Sequence, residues 1–169
     1  NNVRFTEILW AAQRSGLYYT PISSRLTASE VEYIIRDCEA KLIITSNTLK
    51  HVVVELTNLI NDIPDRYIID GEIDGWNSLE ESLISMPSSP INDEIMGQDM
   101  LYSSGTTGKP KGIKLPLKNI PIEQSEDLMQ VVTGLYGTNQ DTVYLSPAPL
   151  YHAAPLRFTM GVNYLGGTN

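Results

Sequence analysis

Thr27-Ala28-Ser29-Glu30-Val31-Glu32-Tyr33-Ile34-Ile35-Arg36-Asp37-Cys38-Glu39-Ala40-Lys41-Leu42-Ile43-Ile44-Thr45 changes its hydrophobic period once, and that change decides the fold class. Thr27 and Glu30 have the spacing of a capping box, in which the threonine oxygen accepts an amide of the first turn and the glutamate reaches back. Val31, Ile34, Ile35 and Cys38 follow at helical spacing. Lys41-Leu42-Ile43-Ile44-Thr45 is instead a short apolar run, suited to a strand covered on both faces. A capped helix running into a buried strand is the working half of a βαβ unit.

The same alternation extends in both directions. Upstream, Phe5, Ile8, Leu9 and Ala12 form a helical stripe, and Leu17-Tyr18-Tyr19-Thr20-Pro21-Ile22 reads as a strand. Downstream, Ser46 or Asn47 caps a helix carrying Leu49, Val52, Val53, Leu56 and Ile60, and Tyr67-Ile68-Ile69 is a strand ended by Asp70-Gly71. Trp76, Leu79, Leu83 and Ile84 predict a short helix over residues 76–84. The rhythm predicts an α/β protein with a partly parallel, layered sheet flanked by helices, binding its ligand along the C-terminal edge of the strands.

Residues 85–97 hold Pro87, Pro90 and Gly97 with Asp93 and Glu94, and read as an exposed connector. It divides the chain into a leading α/β half, 1–84, and a half that carries the chemistry, 98–169. In the latter, Met100-Leu101-Tyr102 is a strand, and Gly112-Ile113-Lys114-Leu115 extends again. Pro121 opens a helix with Leu128, Val131, Val132 and Leu135 on one side. Val143-Tyr144-Leu145 is a further strand, Pro149-Leu150-Tyr151-His152 a loop, and Pro155 begins a last helix.

Bulk properties exclude several classes. A chain of 169 residues with 41% hydrophobic content can bury an ordinary core, and a net charge of −8 argues against a nucleic-acid partner. The single cysteine, Cys38, allows no internal disulfide, reads as a packing residue and suits a reducing cytoplasm. No apolar run approaches the eighteen or so residues of a membrane span. The chain opens on Asn1-Asn2 and stops after Leu165-Gly166-Gly167-Thr168-Asn169, so it is expected to be a piece of a larger protein that leaves some apolar faces uncovered.

The chemistry is concentrated between the strand at 100–102 and the extension at 112–115. Ser103-Ser104-Gly105-Thr106-Thr107-Gly108-Lys109-Pro110-Lys111-Gly112 supplies four hydroxyls, three glycines and two lysines. Polyphosphate binding needs this combination: hydroxyl and amide donors, a backbone free to approach closely, and cationic charge. It is not a mononucleotide P-loop, because Pro110 follows Lys109 and Ser104 stands where the first glycine would be. A flexible linker would need no fixed order and would not sit between two apolar strands.

Tyr102 through Ile113 resembles the AMP-binding signature of the adenylate-forming enzymes, which include acyl- and aryl-CoA synthetases, peptide-synthetase adenylation domains and luciferases. Gly16 to Thr45 is similar to the region upstream of that signature, and Pro149-Leu150-Tyr151-His152-Ala153-Ala154-Pro155 resembles a proline-hydrophobe-aromatic-histidine motif downstream. The resemblance implies ATP-dependent activation of a carboxylic acid to acyl-AMP, then thioester formation with coenzyme A. ATP, Mg2+ and CoA are the implied cofactors, and a small carboxylic acid, of fatty or related type, is the implied partner. It implies that Ser103, Ser104, Gly105, Thr106, Thr107 and Gly108 bind the phosphates with Lys111 as their cation. It also places His152 beside the acyl carboxylate and α-phosphate, while Tyr151 reads either as a wall of the acyl pocket or as a core aromatic. No metal ligand is expected within this stretch, because the family's Mg-binding glutamate lies downstream, as do its adenine site and mobile C-terminal domain. The isolated piece is therefore expected to be inactive. Adenylation of an aryl or amino acid for a carrier protein, or a non-catalytic nucleotide-binding module, are the alternatives. The Tyr151-His152 pair favours a CoA ligase, since peptide-synthetase domains usually carry Phe-Asp-x-Ser there.

Overall fold

The computed structural model describes residues 2–103, 108–124 and 133–169. The chain divides into two units, residues 22–89 and residues 1–21 with 90–169. This differs from a cut near residue 85, because the first strand pairs across the chain rather than with its sequence neighbours.

In the unit 22–89 the capping box forms as the sequence dictates. Helix α2 (Ala28–Asp37) has Thr27 at its N-cap, the threonine oxygen accepting from the Glu30 amide at 3.4 Å and Glu30 accepting from the Thr27 amide at 2.8 Å. Strand β2 (Leu42–Ser46) pairs in parallel with β3 (Asp65–Ile69) from Leu42↔Asp65 to Ser46↔Ile69, and β3 with the short β4 (Asn77–Ser78). Ser46 is the cap, but of a 3-10 turn (Asn47–Leu49) that precedes α3 (Lys50–Leu59). Ala28 and Ile35 from α2, Val53 and Leu56 from α3, and Ile68 from β3 share one core with Ile60, Ile63, Ile73 and Trp76.

Two expectations shift in this unit. Strand β2 is less covered than expected for a strand buried on both faces: Leu42 is 52% exposed and its other residues are half-buried. Trp76 precedes the helix instead of joining it: its indole N–H donates to Thr57 at 2.8 Å, and α4 (Leu79–Ile84) starts only after Ser78, whose hydroxyl accepts from the Glu81 amide.

Arg36 reaches Asp62 and Glu32 in this unit, and its bonds to Asp62 hold that carboxyl below the usual carboxylate range, as Thr27 holds Glu30. Depressed carboxylates stabilise above their unfolded values and lose that contribution as pH falls through the folded ones. Melting should therefore fall as pH is lowered from 7 towards 3. Thr27→Ala should independently cost about 1 kcal/mol in denaturant unfolding. A midpoint unchanged by Thr27→Ala would mean that the cap does not hold α2.

In the other unit, α1 (Val3–Arg14) is capped by Asn2, whose side chain accepts from the Arg4 amide at 2.8 Å. Strand β1 (Tyr18–Tyr19) lies parallel to β5 (Gln98–Ser103), with Tyr18↔Gln98 and Tyr19↔Asp99 in register. β5 pairs antiparallel with β6 (Lys111–Lys114), so β5 is the central strand in the order β1-β5-β6. The Tyr18 hydroxyl donates to the Leu115 carbonyl at 2.7 Å, and the Lys114 ammonium sits 4.8 Å from the Tyr18 ring centroid. Helix α5 (Ala153–Tyr164) places Leu156 and Met160 in a core with Leu9 and Leu101, flanked by Phe5, Trp10 and Tyr19.

The helix expected after Pro121 opens on a 3-10 turn, Ile122–Gln124, as far as the described residues run. Its stripe residues Leu128, Val131 and Val132 lie outside the described residues, and 133–136 are helical. The strand expected at 143–145 reduces to one bridge, Val143↔Thr168. Val143 and Leu145 are more than four-fifths exposed, so no neighbouring strand builds on them among the described residues.

Candidate active site

The Ser/Gly/Thr stretch singled out in the sequence follows directly on the central strand. Tyr102 pairs with Gly112 and Ser103 with Lys111, so the connection 104–110 leaves β5 and returns beside its own starting point. Ser103 and Lys111 are both exposed, and so are Gly108 and Lys109. The Lys111 side chain forms no ion pair among the described residues, leaving its ammonium available to an anion. Ser104, Gly105, Thr106 and Thr107 lie outside the described residues.

Gly112 has a packing role that its place in the motif did not suggest. A Cβ there would stand 2.5 Å from Met100 Cε and 2.9 Å from Tyr102 Cζ. The ring of Tyr102, the residue paired with Gly112 and next to the Ser103↔Lys111 pair, occupies the space of the missing side chain.

His152 is the N-cap residue of α5, with extended backbone and no capping bond from its side chain. Its amide donates to the Pro149 carbonyl at 3.2 Å and its carbonyl accepts from the Leu156 amide at 3.1 Å. The backbone is thereby held, while the exposed imidazole makes no hydrogen bond among the described residues. Tyr151 packs against it with ring centroids 4.2 Å apart, and the preceding Leu150 is buried. The helix start adds the partial positive charge of unpaired amides next to the histidine. The structure thus pairs Ser103 of β5 with Lys111 of β6, and Tyr151 with His152 at the start of α5, all in one unit.

One constellation escaped the sequence reading. Asp99, on β5 and 5% exposed, receives Arg157 of α5 in two bonds, Nε to Oδ2 at 2.9 Å and Nη2 to Oδ1 at 3.2 Å. Gln98 also donates to Asp99. The hydrogen bond to Asp99 raises the Arg157 pKa, while burial, followed by the nearby Asp99 charge, pushes the Tyr19 phenol well above its usual range. The pair borders a cleft of about 230 Å3 whose walls include Trp10, Gln13, Tyr19 and Met160. A sequence signal existed: Arg157 is the lone charge of an apolar helix, and Asp99 stands directly before the apolar pair Met100-Leu101.

A model of the family described as "AMP-binding enzyme" matches residues 1–169. The chain belongs to the AMP-binding enzyme family. As a member it is 28% identical over 166 residues to the long-chain-fatty-acid–CoA ligase FadD13 of Mycobacterium tuberculosis, covering 92% of this chain and 30% of that protein. It is 32% identical over 109 residues to a plipastatin synthase of Bacillus subtilis, covering 64% of this chain and 4% of that one. Its fold matches a red-emitting luciferase of Phrixothrix hirtus with a TM-score of 0.75 at 21% identity, over 99% of this chain and 33% of the luciferase. The AMP-binding chain therefore spans less than a third of the length of the ligase and the synthase. No helix among its described residues is long and apolar enough to cross a membrane.

Proposed function

We propose that the protein containing this chain activates a carboxylic acid, of fatty or related acyl type, with ATP and passes the acyl group to coenzyme A. A carboxylate oxygen attacks the α-phosphorus of ATP as the bond to pyrophosphate breaks, giving acyl-AMP. A CoA thiolate then attacks the acyl carbon and AMP leaves with the electron pair. The observation that carries this reading is the β5–β6 register, which returns the exposed Lys111 to the side of Ser103 across a Ser/Gly/Thr loop.

Lys111 would offset the charge gathering on the β- and γ-phosphates as pyrophosphate departs, with Ser103, Ser104, Thr106 and Thr107 as hydroxyl donors and Gly105 and Gly108 opening backbone amides. His152 would donate a ring N–H to the oxygens of the reacting carboxylate or α-phosphate, and Tyr151 would wall the acyl site. Among the described residues no three His, Cys, Asp or Glu side chains gather to hold a metal ion.

ATP–pyrophosphate exchange by the full-length protein, with a panel of fatty, aryl and amino acids, tests the reading. Exchange that requires a fatty-type acid, followed by AMP release on adding CoA, is the expected result. ATP hydrolysis indifferent to every acid would overturn it. Exchange driven by an amino acid without a CoA thioester would favour carrier-protein loading, the reading supported by the similarity to plipastatin synthase. His152→Ala should lower the exchange rate about tenfold, with the KM for ATP changed little. An unchanged rate would remove His152 from the reacting centre.

A further inference from the structure

We propose that the Asp99–Arg157 ion pair is a positioning element that fixes His152 relative to the phosphate loop, an inference that rests on the function proposed above. Asp99 lies on β5 four residues before Ser103, where the loop begins, and Arg157 lies on α5 five residues after His152. At the rises of strand and helix, the pair stands about 13 Å from the loop and about 8 Å from the histidine. It is a cross-brace between β5, which ends at Ser103 where the loop begins, and α5, which His152 caps.

The other contacts of α5 with this unit's core are mainly apolar. Leu156 and Met160 meet Leu9 and Leu101, and such packing is non-directional and tolerates small slides and rotations. A bidentate guanidinium–carboxylate pair does not, because its two bonds set both distance and angle. Tyr19, in register with Asp99, adds a second directional contact, its hydroxyl donating to Met160 Sδ at 3.5 Å.

Stability is a poor explanation for burying this charge. Desolvating Asp99, only 4% exposed at its side chain, consumes much of the attraction to Arg157, and apolar residues of similar volume would serve packing as well. What the pair supplies and packing cannot is a single register of helix on strand. Displacement of a reacting group by about 1 Å can cost about a hundredfold in rate.

The test is a double-mutant cycle on the full-length enzyme, read by acid-dependent pyrophosphate exchange. Arg157→Lys keeps a cation for Asp99 but loses the two-pronged geometry. It is expected to lower kcat about tenfold with the KM for ATP changed less than about twofold. In a His152→Ala background the same substitution should cost less than about twofold more, since the group it positions is gone. A full tenfold loss persisting in that background, or a lowered melting temperature with unchanged kcat, would reduce the pair to a structural brace and overturn the proposal. Should Arg157→Lys fail to fold, Asp99→Asn/Arg157→Gln removes both charges and carries the same expectation. A wild-type enzyme without acid-dependent exchange would sink the proposed function together with this inference, whereas additive losses in an enzyme that does exchange would sink the positioning role alone.

Discussion

On the function proposed above, Lys111→Ala in the full-length protein is expected to slow acid-dependent pyrophosphate exchange by roughly ten- to a hundredfold. The loss of a charged hydrogen-bonding partner costs about 1.5–3 kcal/mol, and each 1.36 kcal/mol of barrier is about tenfold in rate. The effect should fall on kcat more than on the KM for ATP, because charge on the pyrophosphate grows as the bond to the α-phosphorus breaks. Lys109→Ala is the internal comparison. It removes an equally exposed lysine of the same loop, but one that precedes Pro110 and lies outside the strand pairing that orients Lys111. Equal losses for the two lysines would mean that the loop offers only a diffuse field. No loss at Lys111 would remove it from the site.

Gly97→Ala should destabilise the protein on the order of 3 kcal/mol, with a large drop in melting temperature or no recoverable fold. An added Cβ would lie 2.5 Å from the Leu17 carbonyl oxygen, 2.7 Å from the Ala12 carbonyl oxygen and 3.0 Å from the Gln13 Cα. All three are backbone atoms, so no side chain can swing aside. The Gly97 amide also donates to the Gln13 carbonyl at 2.6 Å, tying the end of α1 to the residue before β5. Gly134→Ala is the control, since no described residue lies within 4 Å of a Cβ there and Gly134 is helical. It should be neutral or stabilising by up to about 1 kcal/mol. A wild-type melting curve for Gly97→Ala would show that the chain passes this point more loosely than the contacts indicate.

The two glycines look alike in sequence, which is why the reading of residues 85–97 as an exposed connector missed Gly97. That stretch contains Arg14's partner Glu94 and ends on a buried glycine pressed against α1. Trp76 was missed for a similar reason. It lies at helical spacing from Leu79 and Leu83, yet its indole is claimed by Thr57, a residue on another helix. The division of the chain was obscured by β1, whose partner β5 lies some eighty residues away and leaves no mark on the local pattern around Tyr18 and Tyr19. Of the candidate site, the residue types were legible throughout, and what was not legible was how Ser103 and Lys111 face each other or that His152 caps a helix.

The amino-acid sequence by itself determined the capping box on α2, the apolar runs of β2, β3 and β5, the order of residues in the loop from Ser103 to Gly112, and the Tyr151-His152 pair. Each of these depends on contacts within about four residues or on the repeat of helix and strand, so the information is local. The tertiary structure alone decided that β1 joins β5, that β6 returns antiparallel and carries Lys111 back to Ser103, that Gly97 admits no side chain, and that Asp99 meets Arg157. These are meetings of residues far apart in the chain. They are set by which faces can be buried together, and no short window of sequence contains both partners.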